Sequence, residues 1–340
     1  MEKRRLFRIS KKDYKKNLSE LYENPIINYR KKASKKNEVY YDNYLYQKIT
    51  KLSFILFFSI LYFLSMYIIK HKTPLTRVQD DITRVQDDIT LVTTLFQIPT
   101  PRHSFSDYLT WVENLLQINR SIVFFIQKNI SEMIKRKRPK IYDNKTIWIE
   151  QEFSELYFNK YKKEFEQTYL IDGFQYKHNV HLFIIWNEKL KFLERAINAN
   201  YFNSEYFFWI DAGLFREDFY PRYINNWPSI KKLKEDPRVF INEVETYPKE
   251  YFEKLIAFDS ETHEKYKNSR NTAGDIYGGR ADYFIKFINY YYDIFLLWMK
   301  NGKFIGSDQN LYSVIGYLHP EVLKKVNLKD FPGLRDYFRD

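Results

Sequence analysis

An uncharged run of 18 residues, LSFILFFSILYFLSMYII at 52–69, divides this chain of 340 residues into two unequal parts. At about 1.5 Å per residue, a helix of that length covers about 27 Å, close to the roughly 30 Å of a membrane's hydrocarbon core. A buried helix in a soluble protein normally shows a polar stripe or a charge over five turns. The run therefore predicts one membrane-spanning helix, with Lys51 and Lys70 at its ends.

The tail before this run sets the predicted orientation. Positions 1–51 hold 15 Lys and Arg against 6 Asp and Glu, so +9 of the chain's net charge of +12 lies there. Positive flanks face the cytoplasm, and the run begins too late to be a cleaved signal peptide. We therefore expect a single-pass signal anchor with a cytoplasmic N-terminus and, in a eukaryotic or viral host, a C-terminal part in an ER- or Golgi-type lumen. The N-glycosylation sequons at Asn119, Asn129 and Asn144 lie on the predicted lumenal side, which agrees with this orientation.

The composition of the rest of the chain excludes several classes of protein. Only +3 of net charge remains after residue 51. A nucleic-acid binder carries its basic surface on its folded part, so we expect no nucleic-acid partner. The absence of Cys excludes disulfides, thiolate metal sites and a Cys nucleophile. The 44% of apolar and 19% of aromatic residues are enough for a sizeable core and exclude disorder throughout.

Residues 70–87 are predicted to form a stem, and residues 88–340 the folded body. Positions 76–89 read TRVQDDI twice in succession. Two heptads are too few for a coiled coil. We interpret the repeat as a duplication that lengthens the stem and runs directly into the first strand.

The hydrophobic pattern of the body alternates between strand and helix. Strands are predicted at 88–98, 121–127, 145–151, 206–213 and 238–245. Helices are predicted at 105–118, 153–168, 183–200 and 281–300. Between the last strand and Gly279 we expect a loop-rich section. This order indicates an α/β domain with a mostly parallel central sheet. Ligands of such sheets bind beyond the carboxyl ends of the strands, which directs attention to 93–102, Gln151, 211–213 and Glu245.

Common catalytic motifs are missing from the chain. No G-x-x-x-x-G-K-[ST] or G-x-G-x-x-G follows a strand, so neither a P-loop nor a Rossmann dinucleotide site is expected. There is no H-E-x-x-H and no G-x-S-x-G. The chemistry must therefore lie in other residues.

The segment FFWIDAG places Asp211 at the carboxyl end of an apolar strand. A carboxylate there is costly unless it binds something, and it would suit a divalent cation on a diphosphate. The small residues Ala212 and Gly213 would let a sugar or phosphate approach the backbone. The alternative is that Asp211 caps the following turn.

A second acid, Asp308, lies in the segment GSDQN before an apolar helical run. As a functional group it would act on the acceptor hydroxyl, as a base or a positioning group, with Gln309 beside it. The alternative is that Ser307 or Asp308 simply caps the helix.

Glycines form a third cluster at Gly278 and Gly279, followed by Arg280. In a chain with only 9 Gly, this clustering indicates close backbone approach to a ligand. Ordinary tight turns explain it nearly as well.

Several single residues complete the set of candidates. Thr93, Arg102, Trp186 and Lys189 are candidates for substrate binding, with Lys189 and Arg102 as phosphate contacts or else as solvated surface cations. Further acidic or metal-binding candidates are Glu243, Glu245 and, as a third metal ligand beside Asp211, His319.

Four segments together resemble the HtrL/YibB (WlaTC/HtrL) family of glycosyltransferases. They are ITLVTTLFQI with the following Arg102, IIWNEKLKFLERAINANYFNSEYFFWIDAGLFR, YGGRADYFIKF and IGSDQNLYSVIGYLHPE, and the resemblance covers about 88–325. It implies a GT-A-like nucleotide-diphospho-sugar transferase fold, a nucleotide-sugar donor and a glycan acceptor. It also implies Asp211 as the metal-binding carboxylate, for Mn or Mg, and Asp308 as the acceptor-side acid.

The chain departs from this pattern in two ways. GT-A enzymes commonly carry Asp-x-Asp, whereas Ala212 and Gly213 follow Asp211. The family is largely bacterial and soluble, so the tail, span and stem are additions. The missing second carboxylate keeps open an alternative, namely a non-catalytic glycan-binding or scaffolding membrane protein with the same fold.

Overall fold

The computed structural model describes residues 86–99, 103–216, 225, 227–267, 269–330 and 333–339. The predicted tail (1–51), the predicted span (52–69), all but the last two residues of the predicted stem (70–87), and Arg102 lie outside the described residues. Within the described part, no helix is both long and apolar enough to cross a membrane.

Strands and helices alternate along the described part of the chain. The strands are β1 (Ile89–Leu95), β2 (Ser121–Gln127), β3 (Thr146–Gln151), β4 (Tyr206–Ile210), β5 (Val239–Glu243), β6 (Thr272–Arg280) and β7 (Leu323–Asn327). The α-helices are α1 (Phe105–Leu116), α2 (Lys128–Lys135), α3 (Lys162–Tyr169), α4 (Val180–Ala199), α5 (Ile230–Glu235), α6 (Lys249–Ile256), α7 (Ser260–Tyr266), α8 (Ala281–Lys300), α9 (Asp308–Leu318) and α10 (Leu334–Tyr337). Short 3-10 helices lie at Lys140–Lys145, Phe153–Glu155 and Tyr157–Tyr161.

All seven strands form one sheet in the order β3-β2-β1-β4-β6-β5-β7. Four neighbouring pairs are parallel, and β6 runs antiparallel to both β4 and β5. The prediction of an α/β fold with a mostly parallel central sheet is confirmed.

Helices cover both faces of the sheet, and the side chains of the central strands alternate between them. In β1, Val92 packs into the layer formed with α4, α8 and α9, whereas Leu91 packs into the layer formed with α1, α2 and α10. Every residue of β1 is buried. Burial on both faces explains why the predicted strands are apolar runs rather than alternating ones.

The prediction of a loop-rich section up to Gly279 is wrong, because α6, α7 and β6 lie there. β6 contains Gly274, Asp275, Gly278 and Gly279, residue types with low strand propensity. Pairing with β4 and β5 holds it in the sheet regardless. The predicted helix at 153–168 begins as two 3-10 helices and becomes α-helical in α3.

Candidate active site

A cavity of about 120 Å³ lies beyond the carboxyl ends of β1 and β4, the edge of the sheet where ligand binding is expected. Residues of α1 and α4 complete its walls. It is lined by Thr94, Leu95, Phe96, Ile98, Phe105, Tyr108, Leu182, Ile185, Trp186, Lys189, Trp209, Asp211, Ala212, Gly213 and Arg216. Among these lining residues, Lys189 and Arg216 are the cations and Asp211 is the acid.

Asp211 follows the last residue of β4 and faces the cavity with 36% of its side-chain surface exposed. Its backbone N–H donates to the carbonyl of Asp275 on β6 (2.8 Å), and its own carbonyl accepts from the N–H of Leu214 (2.9 Å). The indole Nε1–H of Trp209 donates to Asp211 Oδ1 (2.7 Å). Among the described residues, Oδ2 accepts no hydrogen bond, so this oxygen remains for a ligand.

Lys189 projects from α4 and is buried behind Asp211. Its Nζ lies 3.0 Å from Asp211 Oδ1 and 3.4 Å from Asp308 Oδ2, and it donates a hydrogen bond to the carbonyl of Gly274 (2.7 Å). Burial alone would lower the pKa of Lys189, but the charges of Asp211 and Asp308 outweigh it and raise the pKa. Lys189 is therefore a permanent cation surrounded by three oxygens.

Asp308 is the first residue of α9, and only 1% of it is exposed. Its Oδ1 accepts the backbone N–H of Gln309 (2.8 Å), whereas Oδ2 makes no hydrogen bond and depends on the ion pair with Lys189. Burial raises the pKa of Asp308 to about 6, with Lys189 opposing the rise and Asp211 adding to it. Asp308 is not among the residues that line the cavity, and its expected contact with an acceptor hydroxyl stays a prediction.

Two neighbours of Asp308 fix its position. A Cβ on Gly274 would lie 2.9 Å from Asp308 Oδ2, so a larger residue at that position would displace the carboxylate. The carbonyl of Gln309 accepts from the hydroxyls of Thr272 (2.8 Å) and Ser313 (2.9 Å). The contacts of Gln309 are thus with its own fold, and the residue does not line the cavity.

The side chains of the four consecutive residues WNEK (186–189) on α4 lie in three different environments. Trp186 and Lys189 both line the cavity. The side-chain amide of Asn187 donates to the carbonyls of Phe183 (2.8 Å) and Ile305 (3.3 Å), and its Oδ1 accepts from the hydroxyl of Tyr291.

Glu188 faces the opposite way and accepts the backbone N–H groups of Tyr157 (3.0 Å) and Phe158 (2.8 Å). Burial raises its pKa to about 7, although these two hydrogen bonds oppose the rise. The roles of Asn187 and Glu188 could not be predicted from the sequence, because most of their partners lie far away in the chain.

Arg216 lies at the exposed end of the cavity. It is not among the residues that the sequence predicts for the site. Its Nε donates to the carbonyl of Gly213 (2.8 Å), and its guanidinium lies 4.5 Å from the ring centre of Trp111. Trp111 and Tyr108 pack edge to face with centroids 5.2 Å apart. The signal available in the sequence was an Arg five residues after the strand-end acid.

Ala212 and Gly213 line the cavity. Gly278, Gly279 and Arg280 do not, which corrects their assignment as substrate-binding residues. Arg280 pairs in register with Tyr206, at the opposite end of β4 from Asp211.

The glycines of this segment are explained by packing. A Cβ on Gly278 would lie 2.2 Å from the ring of Phe208, and one on Gly279 would lie 2.6 Å from the carbonyl oxygen of Arg238. Arg280 itself forms an ion pair with Asp282 (2.6 Å). These contacts leave the segment a structural role.

Other strand-end candidates also lie outside the cavity. Thr93 is buried, and its neighbour Thr94 lines the cavity instead. Glu243 lies 3.7 Å from Lys325 Nζ, and Glu245 accepts a hydrogen bond from the hydroxyl of Tyr247 (2.5 Å). Gln151 accepts from Arg195 Nη1 (2.6 Å).

The expected Mn or Mg site does not fit the residues that the structure describes. His319 follows the last residue of α9, a helix of 11 residues and therefore about 16 Å long, whereas Asp308 begins it. The ring of His319 stacks on Tyr290, with centroids 3.5 Å apart, and its Nδ1 lies 2.9 Å from Glu321. The helix separates His319 from the Asp211 site, which corrects its assignment as a third ligand. Among the described residues, no group of three or more acids or histidines is placed to hold a metal.

Comparison with known proteins gives a distant structural likeness. No family model and no curated protein matches the chain. Among solved structures, it is similar to core-mannan synthase A (CmsA/Ktr4) from Aspergillus fumigatus in its Mn/GDP form, at 12% identity and a TM-score of 0.41. The match covers 71% of this chain and 73% of that one. A likeness at this level assigns no family, so the chemistry of the site must be argued from its own residues.

Proposed function

We propose that residues 88–340 form a glycosyltransferase domain that moves a sugar from a nucleotide-sugar donor to a glycan or glycoconjugate acceptor. The observation that carries this proposal is the Asp211–Lys189 pair, where a partly exposed carboxylate opens onto a cavity at the carboxyl end of β4. The mostly parallel sheet agrees with the GT-A-like fold that the sequence resemblance implies.

The cavity combines apolar walls with a few polar groups, as small-molecule sites commonly do. Tyr108, Trp186 and Trp209 offer aromatic surfaces on which a nucleobase or the apolar face of a sugar can pack. Asp211 Oδ2 is available to accept hydrogen bonds from sugar hydroxyls. Lys189 holds this carboxylate in place from behind.

In the proposed reaction, an acceptor hydroxyl displaces the nucleoside diphosphate from the anomeric carbon of the donor sugar. Negative charge grows on the leaving diphosphate, and fixed positive groups that stabilise it should supply the largest share of the catalysis. Asp211 is the acid that faces the cavity, so it is the group placed to accept the proton of the acceptor hydroxyl. Asp308 acts as a positioning residue through Lys189.

The test is ligand-dependent melting and donor hydrolysis by the purified full-length chain with UDP-, GDP- and CMP-sugars. At least one donor should raise the melting temperature and be turned over. Asp211→Asn should lower kcat by about 10²-fold or more, the range for loss of a general base. The same change at an exposed acid, Glu261→Gln, is the control and should leave kcat unchanged.

Two results would count against the enzyme. Full activity of Asp211→Asn would remove the assigned role of the carboxylate. Absence of both binding and hydrolysis with every donor would remove the class of reaction.

A second candidate function is glycan binding or scaffolding without catalysis. The observation in its favour is Gly213, which stands where Asp-x-Asp enzymes carry their second carboxylate. Under this alternative, the chain binds oligosaccharides on a glycan array but shows no melting shift with nucleotides. Binding of a nucleotide sugar followed by its hydrolysis would exclude it.

We further propose that 52–69 anchors the chain in a membrane, with the body on the lumenal side. The sequon residue Asn129 is exposed on α2, where an oligosaccharide can be accommodated. Expression in a eukaryotic cell should give a product whose mass falls on endoglycosidase treatment, and Asn129→Gln should reduce that shift. A product without glycan at any sequon, and digested by protease added outside sealed microsomes, would contradict this topology.

A further inference from the structure

The turn after β4 lacks the second carboxylate of an Asp-x-Asp motif and is tightly packed at that position, Gly213. A Cβ at Gly213 would lie 3.0 Å from Trp111 and 3.2 Å from Tyr108. Distances this short require the aromatic rings to shift before even a methyl group fits. The packing therefore disfavours an acid at that position, and Gly213 itself provides no carboxylate beside Asp211.

An ammonium group already occupies the space between Asp211 and Asp308. The Nζ of Lys189 is within 3.4 Å of oxygens from Asp211, Asp308 and Gly274. Only 4% of its side-chain surface is exposed. Asp211 thus keeps one unpartnered oxygen among the described residues, whereas Mg²⁺ and Ca²⁺ take six or more oxygens in all.

Arg216 places a second fixed cation on the cavity. Its Nε is held by the carbonyl of Gly213, and its guanidinium packs over Trp111. A guanidinium always carries its charge, and its planar fork matches two phosphate oxygens. Holding it in advance reduces the entropy lost when a phosphate binds.

We propose that Arg216, supported by Lys189, binds the diphosphate of the donor and replaces the divalent cation, so that nucleotide binding is independent of metal. This proposal rests on the proposed function and adds how its leaving group is recognised. Lys189 offsets part of the negative charge of Asp211 and thereby weakens the repulsion between that carboxylate and the diphosphate. Arg216 then supplies direct hydrogen bonds to it.

The test is titration calorimetry of GDP and UDP into the full-length chain in EDTA, and again with Mn²⁺. Wild type should bind at least one nucleotide in EDTA, with a Kd that Mn²⁺ changes less than about threefold. Arg216→Gln should weaken binding by about tenfold or more, the loss of one charge-assisted hydrogen bond. The same change at Arg136, an exposed arginine on another part of the surface, should leave the Kd unchanged.

A second measurement needs no nucleotide and no variant. The electron paramagnetic resonance signal of free Mn²⁺ should be unaffected by added wild-type protein. Strong binding of Mn²⁺ alone, nucleotide binding that requires Mn²⁺, or an Arg216→Gln protein that binds like wild type would each overturn the inference while leaving the proposed transferase standing. Failure of every nucleotide to bind in either condition would overturn both.

Discussion

Replacing Lys189 by Met would remove the buried ammonium while keeping an unbranched side chain of similar length. Asp308 would then be buried without the cation that lies 3.4 Å from its Oδ2. Asp211 would lose its contact at 3.0 Å, and the carbonyl of Gly274 would lose a hydrogen bond of 2.7 Å. Breaking a buried ion pair by removing one partner costs about 3–5 kcal/mol, because the other charge remains desolvated.

This loss translates into a large change in thermal stability. In a domain of roughly 150–250 residues, 1 kcal/mol shifts the melting temperature by about 2–4 °C. Lys189→Met should therefore melt about 6–20 °C below wild type at pH 7, measured by circular dichroism. Lys191→Met is the matched control on the same helix, since Lys191 pairs with Glu194 and is 27% exposed. It should cost about 1 kcal/mol or less.

A double variant separates charge from packing. Lys189→Met combined with Asp308→Asn should recover part of the lost stability, because a neutral amide does not need the ammonium. The reasoning is refuted if Lys189→Met melts within about 2 °C of wild type at pH 7, which is the shift that less than 1 kcal/mol would produce. It also fails if the double variant is less stable than the single one.

Three further predictions concern the same core. The folded pKa of Asp308, about 6, lies above its ordinary 3.8, so its ionisation opposes folding. Between about pH 4 and 6, wild type should therefore lose roughly 2 kcal/mol relative to Asp308→Asn in urea unfolding. A difference that does not change with pH would contradict this. Trp209→Phe removes the donor to Asp211 Oδ1 and should lower kcat for donor hydrolysis by about tenfold, whereas an unchanged kcat would remove its positioning role. Gly278→Ala places a methyl group 2.2 Å from the ring of Phe208 and should cost at least about 1–3 kcal/mol in the same unfolding assay, whereas a neutral effect would show that the strands separate easily.

The strands that form the centre of the sheet could be predicted because burial on both faces leaves a strong local signal. β1, β2 and β4 are short apolar runs, and their carboxyl ends identified the correct edge of the sheet for the cavity. Helix periodicity likewise located α1, α4 and α8 to within a few residues. In each of these elements, the local hydrophobic pattern is enough to indicate the secondary structure.

β6 could not be predicted from local pattern. Its glycines are poor strand formers, and the reason for Gly278 is the ring of Phe208 on a strand that lies about seventy residues earlier in the sequence. β7, with the sequence LKKVN, is likewise too polar to be distinguished from a loop. Tertiary pairing determines both strands.

The site was predictable as separate residues but not as an arrangement. Asp211 and Lys189 were both identified, but nothing in their spacing showed that they form an ion pair. Asp308 was expected at the acceptor, whereas burial places it behind Lys189. Arg216 and Trp209 were missed because their roles depend on contacts that only the folded chain creates.

The three oxygens around Lys189 Nζ come from parts of the chain that are far apart in sequence. The lysine lies on α4, and its oxygen partners lie after β4, on β6 and at the start of α9. No fragment that ends before α9 can complete this arrangement, because Asp308 is the first residue of that helix. By mass action, a ligand that fits the completed cavity favours the folded state over the unfolded chain. Occupancy by substrate would then also protect the molecule from turnover by proteases.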